Sequence, residues 1–142
     1  MSLTAANAVI MLGVSGIFDQ PQQIQGFSTD DVFDVDQIKR VETQMGVDGV
    51  LSGGFVYNET TQTFTLQSDS ASNFFFDQWD LAQQAAQETF EASGTIFLPS
   101  IGVQWACVKG FLTDVPPMPS VGKLIKPRKY TIRWGSVTPA PV

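Results

Sequence analysis

Asp30, Asp31, Asp34 and Asp36 form the densest cluster of carboxylates in the sequence, and clustered carboxylates are a common way to hold calcium or magnesium. An EF-hand loop needs acids or amides at alternate positions, then a glycine and a terminal glutamate. The spacing here supplies neither. A pair of carboxylates is also the equipment of a glycosidase, but any two of the chain's fourteen acids would offer that. A solvated acidic strand and loop is the reading that the spacing favours.

The remaining stock of reactive side chains is thin. The chain has no histidine, which removes Ser-His-Asp and Cys-His nucleophile pairs, histidine acid/base work and the common zinc sites. Cys107 is the only cysteine; it has no intrachain disulfide partner and no histidine to make it a thiolate, so it reads as a small buried hydrophobe. Glycines 13, 16, 46, 49, 53 and 54 precede no Gly-Lys-Ser/Thr, so they are turn and bulge glycines, with no phosphate loop among them. These residues point to no enzyme, no cofactor and no metal.

Charge is sparse and uneven. Charged residues are 15% of the chain and apolar residues 43%, against a usual charged share of about a quarter. Such a chain is expected to hide surface in an oligomer. Thirteen of the fourteen acids lie in residues 1–100, whereas six of the eight bases lie in residues 101–142. That asymmetry can steer copies into a head-to-tail register, or it can simply neutralise across one folded surface. The basic cluster Lys123, Lys126, Arg128, Lys129 and Arg133 suits pairing with the acids of an adjacent copy at least as well as nucleic acid, since the isoelectric point is near 4.3 and duplex binding rests on neutralising phosphates. The first residues lack the basic region of a signal peptide, and the apolar run 9–12 is too short to span a bilayer. A protein made in the cytoplasm, with no membrane partner, is expected.

The elements that must position these residues are mostly strands. Residues 9–12 and 17–18 read as early strands, and the glutamine-rich stretch 19–26 with Pro21 as an exposed loop or edge. Asp48-Gly49 between apolar runs is a hairpin signal, followed by Gly53-Gly54, a bulge or bend. Thr63-Phe64-Thr65-Leu66-Gln67 alternates, with Phe64 and Leu66 facing the core. One helix begins near residues 70–73, carries the stripe Phe75, Trp79, Ala82, Ala86 and Phe90, and stops at Ser93-Gly94. Phe74 and Phe76 fall off that stripe and are candidates for burial against a neighbour. Residues 103–109, apolar on both faces, read as a central, doubly covered strand. A proline-rich connection 115–119 leads to a last strand at 130–134 and a flexible tail at 138–142. Without repeat or linker, residues 1–142 form one domain, mainly β with one flanking α-helix.

The order of these features resembles a known family. Gly26-Phe27-Ser28-Thr29-Asp30-Asp31-Val32-Phe33, then Gly46-Val47-Asp48-Gly49-Val50-Leu51-Ser52, then Thr63-Phe64-Thr65-Leu66-Gln67-Ser68-Asp69-Ser70-Ala71-Ser72-Asn73 leading into an aromatic helix, is similar to the tail-tube proteins of contractile-tailed bacteriophages over roughly residues 9–92. The resemblance implies a β-sandwich or barrel subunit that closes into a sixfold ring. Such rings would stack into a hollow tube in the virion tail, with sheath, baseplate and tail-terminator proteins as partners, and DNA would pass through unbound during ejection. Asp30, Asp31, Asp34, Asp36 and Glu42 are then candidates for lumen or inter-ring acids, and Lys123, Lys126, Arg128 and Lys129 for inter-subunit contacts. Candidate inner strands are residues 38–45, 50–57, 63–67 and 103–112. Two other readings stand beside this one: a baseplate or tail-completion protein that forms one ring, and a small-ligand-binding β-barrel.

Overall fold

A computed structural model describes residues 8–27 and 32–141. In chain order the elements are β1 (Val9–Val14), β2 (Phe18–Gln23), β3 (Phe33–Val35), β4 (Val41–Met45), β5 (Leu51–Phe55), β6 (Thr60–Leu66), helix α1 (Asn73–Ala86), β7 (Ala92–Leu98), β8 (Val103–Asp114) and β9 (Arg128–Pro141). Seven strands form one antiparallel sheet in the order β2-β1-β7-β8-β9-β6-β3, and β4 pairs with β5 alone.

That order corrects the expected β-sandwich or barrel. A barrel requires its first and last strands to pair, and here β2 and β3 remain as two separate edges. The sheet is open, and the chain by itself forms neither a barrel nor a closed ring. What holds is a mostly β chain with one helix flanking it. Pro21 lies in β2, an edge strand, where a missing N–H breaks no ladder.

Alternation decides which face is covered. In β1, Ile10, Leu12 and Val14 point inward; in β6, Phe64 and Leu66 do; in β9, Tyr130, Ile132 and Trp134 do. Helix α1 lays Phe75, Phe76 and Trp79 on these residues. Phe76 stacks on Tyr130 with ring centroids 4.2 Å apart, and Phe75 stacks on Phe18 at 4.7 Å. Each such side chain contributes roughly 1.5–3 kcal/mol by leaving water. Phe76 therefore belongs to the chain's own core and not to a neighbour's surface, whereas Phe74 is exposed. Of the predicted stripe, Phe75 and Trp79 are buried, Ala82 is half-buried and Ala86 is exposed. Phe90 lies beyond the helix, where its carbonyl accepts a hydrogen bond from Trp79 Nε1 at 3.1 Å.

The helix stops sooner than its sequence implied. Gln87 adopts a left-handed backbone (φ 53°) just after Ala86, and Ser93-Gly94 falls inside β7. Gly94 has a packing duty there, because a Cβ would collide with Leu12 and with the β1 backbone. At the helix start, Asn73 organises the turn: its amide donates to the carbonyls of Gln67, Ser68 and Ser70, and its Oδ1 accepts from the Tyr130 hydroxyl at 2.9 Å.

Two further expectations change. β8 is central in the sheet, but Ala106 and Val108 on its far side are exposed, so it is covered on one face only. The tail is no loose end: residues 138–141 pair with β8 through Ala106↔Thr138 to Val103↔Pro141.

Candidate assembly site

The β4–β5 hairpin stands apart from the sheet. Its ladder runs from Val41↔Phe55 to Met45↔Leu51, and residues 46–50 make the turn. There Gly49 takes φ 83°, Gly49 N donates to Gly46 O, and Asp48 Oδ1 accepts from Val50 N at 3.1 Å. The base is tied by Val56 N to Arg40 O and by Asn58 Nδ2 to Lys39 O. Every residue of both strands is exposed, although Val41, Met45, Leu51 and Phe55 are apolar, and Val47 at the tip is fully exposed. A two-stranded ribbon is marginal alone in water, and a contiguous exposed apolar patch marks an interaction site.

Strand register fixes where this hairpin sits. It leaves the sheet after Val35, which pairs with Gln62, and rejoins it at Thr60, which pairs with Trp134. The other end of β6, Leu66, pairs with Arg128 at the start of β9, about 20 Å further along the strand direction. The connection from β8 to β9, residues 115–127, emerges at that second end. Hairpin and connection therefore occupy opposite ends of the sheet. The connection also exposes large apolar side chains: Met118, Val121, Leu124 and Ile125.

The predicted charged residues divide between these ends. Asp30 and Asp31 lie outside the described residues. Asp34 is on the edge strand β3 opposite Thr63, with its side chain away from the core, and exposed Asp36 follows it. Glu42 is in the hairpin, 3.0 Å from Lys39 Nζ. Lys123 and Lys126 lie in the far connection and Lys129 at the start of β9, all exposed. Arg128 differs from its neighbours: it is buried, forks onto Asp77 of the helix at 2.8 and 3.3 Å, and donates to Pro116 O at 3.1 Å. Arg133 pairs with Glu59 at 2.5 Å.

The helix covers only part of the inner face of the sheet. At the hairpin end, Phe33, Val35, Ile96, Leu98, Trp105 and Val137 line an apolar cleft of about 280 Å³. Cys107 is at its floor, with its thiol pushed up to about 11 by burial, which makes it a poor nucleophile. No barrel encloses this cleft, as a ligand-binding barrel would require. Among the described residues no group of three histidine, cysteine or acidic side chains is placed to hold a metal ion, and no helix is long and apolar enough to cross a membrane.

Residues 1–138 match the family described as tail fiber protein gp32. The chain belongs to that family. No curated protein matches the sequence. Three solved structures share the fold of this gp32-family chain. A chain of the sheath/tube terminator of PVC, an extracellular contractile injection system, in its extended state superposes with a TM-score of 0.62 at 14% identity, over 99% of this chain and 97% of that one. A chain from the sixfold-symmetrised baseplate of the anti-feeding prophage gives 0.60 at 12% identity, over 100% and 99%. One from the cap that terminates the anti-feeding prophage tube gives 0.60 at 15%, over 100% and 93%. The gp32-family chain thus has the tail-tube-like fold found in contractile injection systems.

Reading by sequence placed the Asp48-Gly49 turn of the gp32-family chain but not the hairpin's isolation. No local signal marked it: Val41, Met45, Leu51 and Phe55 share one face of the hairpin and Glu42, Gln44 and Ser52 the other, the same alternation that a core-facing hairpin shows. The Arg128–Asp77 fork left no trace in local sequence, because its partners are 51 residues apart.

Proposed function

We propose that this protein is the structural, non-catalytic subunit of a tail tube: six copies surround an axis, successive sixes stack into a hollow tube, and DNA passes through it during ejection. One observation carries the reading. The whole described fold, helix and seven-stranded sheet together, corresponds to subunits of a tube cap, a sheath/tube terminator and a baseplate over nearly their full lengths. Sheath, baseplate and terminator proteins are the partners this implies, and the virion tail is the location.

The uncovered face of the sheet fits a conduit. Thr61, Thr63, Thr95, Gln104, Ala106, Thr131 and Thr138 alternate with the core residues there, beside the apolar Met11, Phe97 and Phe111 and two bases, Lys129 and Arg133, of which Arg133 is paired with Glu59. A conduit must not bind its cargo, since each neutralised phosphate adds affinity and hence friction. Asp34 on that face, with Asp36 after it, supplies repulsion in this reading; Asp30 and Asp31 precede them in the sequence, and Glu42 belongs to the hairpin. Replacing Asp34 and Asp36 with lysine is expected to slow DNA ejection from particles that still assemble; unchanged ejection kinetics would argue against an acidic lumen.

The family description favours a second reading, a component of a tail fibre. Negative-stain microscopy of concentrated protein separates the two: hollow cylinders support the tube, thin solid filaments the fibre, and single rings that never stack a baseplate or completion part.

A further inference from the structure

The apolar cleft on the inner face of the sheet holds hydrogen-bond donors that the chain itself leaves unused. Thr60 and Gln62 line it together with Trp105, and both are more than nine-tenths buried. Trp134 settles which end of the Gln62 amide faces the cleft. An indole N–H can only donate, so the oxygen of Gln62 faces Trp134 in their 2.9 Å bond, and the NH2 group is the end left over. That group meets no acceptor among the described residues. The fully enclosed, unpaired side-chain atoms among those residues are Gln83 Oε1 and Arg128 Nε, so the NH2 group of Gln62 reaches open space, and the cleft is the space it lines. The Thr60 hydroxyl and the Trp105 indole N–H likewise have no acceptor among the described residues.

We propose that this cleft is a binding site for a small neutral aromatic molecule that presents a carbonyl oxygen to Gln62. The inference goes beyond the tube reading and does not depend on it. The volume, about 280 Å³, suits one substituted ring, since an apolar cavity of about 150 Å³ already admits benzene. Apolar walls with a few convergent polar groups are the usual build of a ligand site. The polarity of those groups selects the ligand. No charged side chain is among the lining residues, so a carboxylate would lose its hydration and gain no counter-charge. An extended peptide would bring N–H groups for which the lining side chains offer only the Thr60 oxygen, and a buried unpaired N–H is costly. A carbonyl needs donors only. The ligand would also have a structural effect: Phe33 and Val35 come from the three-residue edge strand β3, whereas Ile96, Trp105 and Val137 come from β7, β8 and β9. A molecule held between them ties the edge to the middle of the sheet, and binding to the folded chain alone raises the melting temperature.

Acetophenone and α-methylstyrene test the idea, because they share one shape and differ in a carbonyl oxygen against a CH2 group. Ligand-detected NMR titration of the full chain reads binding in any state of assembly. Acetophenone is expected to bind more tightly than α-methylstyrene by about threefold or more, the contribution of one hydrogen bond, although it is the less hydrophobic of the two; benzoate is expected not to bind. Equal or tighter binding of α-methylstyrene would reduce the cleft to an apolar gap and overturn the proposal. So would benzoate binding as well as acetophenone, or no binding of acetophenone at millimolar concentration. Val137→Trp fills the cleft and is expected to abolish acetophenone binding while melting stays cooperative. Unchanged affinity in that variant would place the ligand elsewhere and overturn the assignment; should the variant unfold, Leu98→Phe makes the same test with a smaller change. Microscopy of the same samples for cylinders reports on the tube reading separately.

Discussion

Trp134 Nε1 donates a hydrogen bond to Gln62 Oε1 at 2.9 Å, deep in the core, where β9 and β6 run side by side. Both side chains are almost wholly buried. The bond satisfies the buried indole N–H and orients the ring.

Gln62→Leu leaves that indole N–H without an acceptor, which costs about 1–3 kcal/mol. Denaturant unfolding of the variant is expected to show an unfolding free energy lowered by that amount. A shift below about 0.5 kcal/mol, within ordinary surface-mutation scatter, would show that the ring finds another partner.

The same ring explains Gly110. A Cβ there would penetrate the six-membered ring of Trp134, so Gly110→Ala is expected to destabilise the chain by about 1–3 kcal/mol, as overpacking does. Adding Trp134→Leu removes the obstacle. In a double-mutant cycle the two changes should therefore cost less together than their sum; strict additivity would place the strain elsewhere.

Arg128 is buried, and Asp77 is its counter-charge. Asp77→Asn keeps the shape but strands the guanidinium, and because Asp77 is partly exposed the expected loss is about 1–2 kcal/mol, short of the value for a fully buried pair. Since Arg128 also holds Pro116 O, limited proteolysis within residues 115–127 should accelerate in the variant. Unchanged cleavage rates would mean that the connection is held by its own turns.

Stability is expected to fall in mildly alkaline solution. Burial raises the Cys107 thiol from 9.0 to about 11, and it raises Tyr130 as well, against a lowering by Arg128 and a further rise from Asp77. The fold favours the protonated thiol, so its contribution is complete below about pH 9. It declines between about 9 and 11, where the unfolded chain ionises first. Melting temperatures across that window should fall less steeply for Cys107→Ala; identical slopes would exonerate the thiol.

Local rules made parts of this fold legible. Alternation at Phe64 and Leu66 and the Asp48-Gly49 turn are short-range signals, and the structure places them where those rules predict. What failed depended on distant partners. Gly94 reads as a helix stop in sequence, but Leu12, eighty-two positions earlier, makes it a packing glycine in a strand. Phe76 lies off the helical stripe, yet Tyr130 draws it inward by stacking. Strand closure cannot be read from one-dimensional alternation either: the same patterns in β2 and β3 serve an open sheet with two edges. The candidate charges were visible as an asymmetry along the chain, but their separation to opposite ends of the sheet needed the Leu66↔Arg128 and Thr60↔Trp134 register.

Helix α1 packs against one part of the sheet and leaves the hairpin end uncovered. Local stability follows buried apolar contact, so the molecule has a firm end and a compliant one. Amide protons of β4 and β5 should exchange long before those of β6 and β9. The hairpin end is thus the end that can change shape without disturbing the core, so the chain combines a fixed frame with an adaptable extremity.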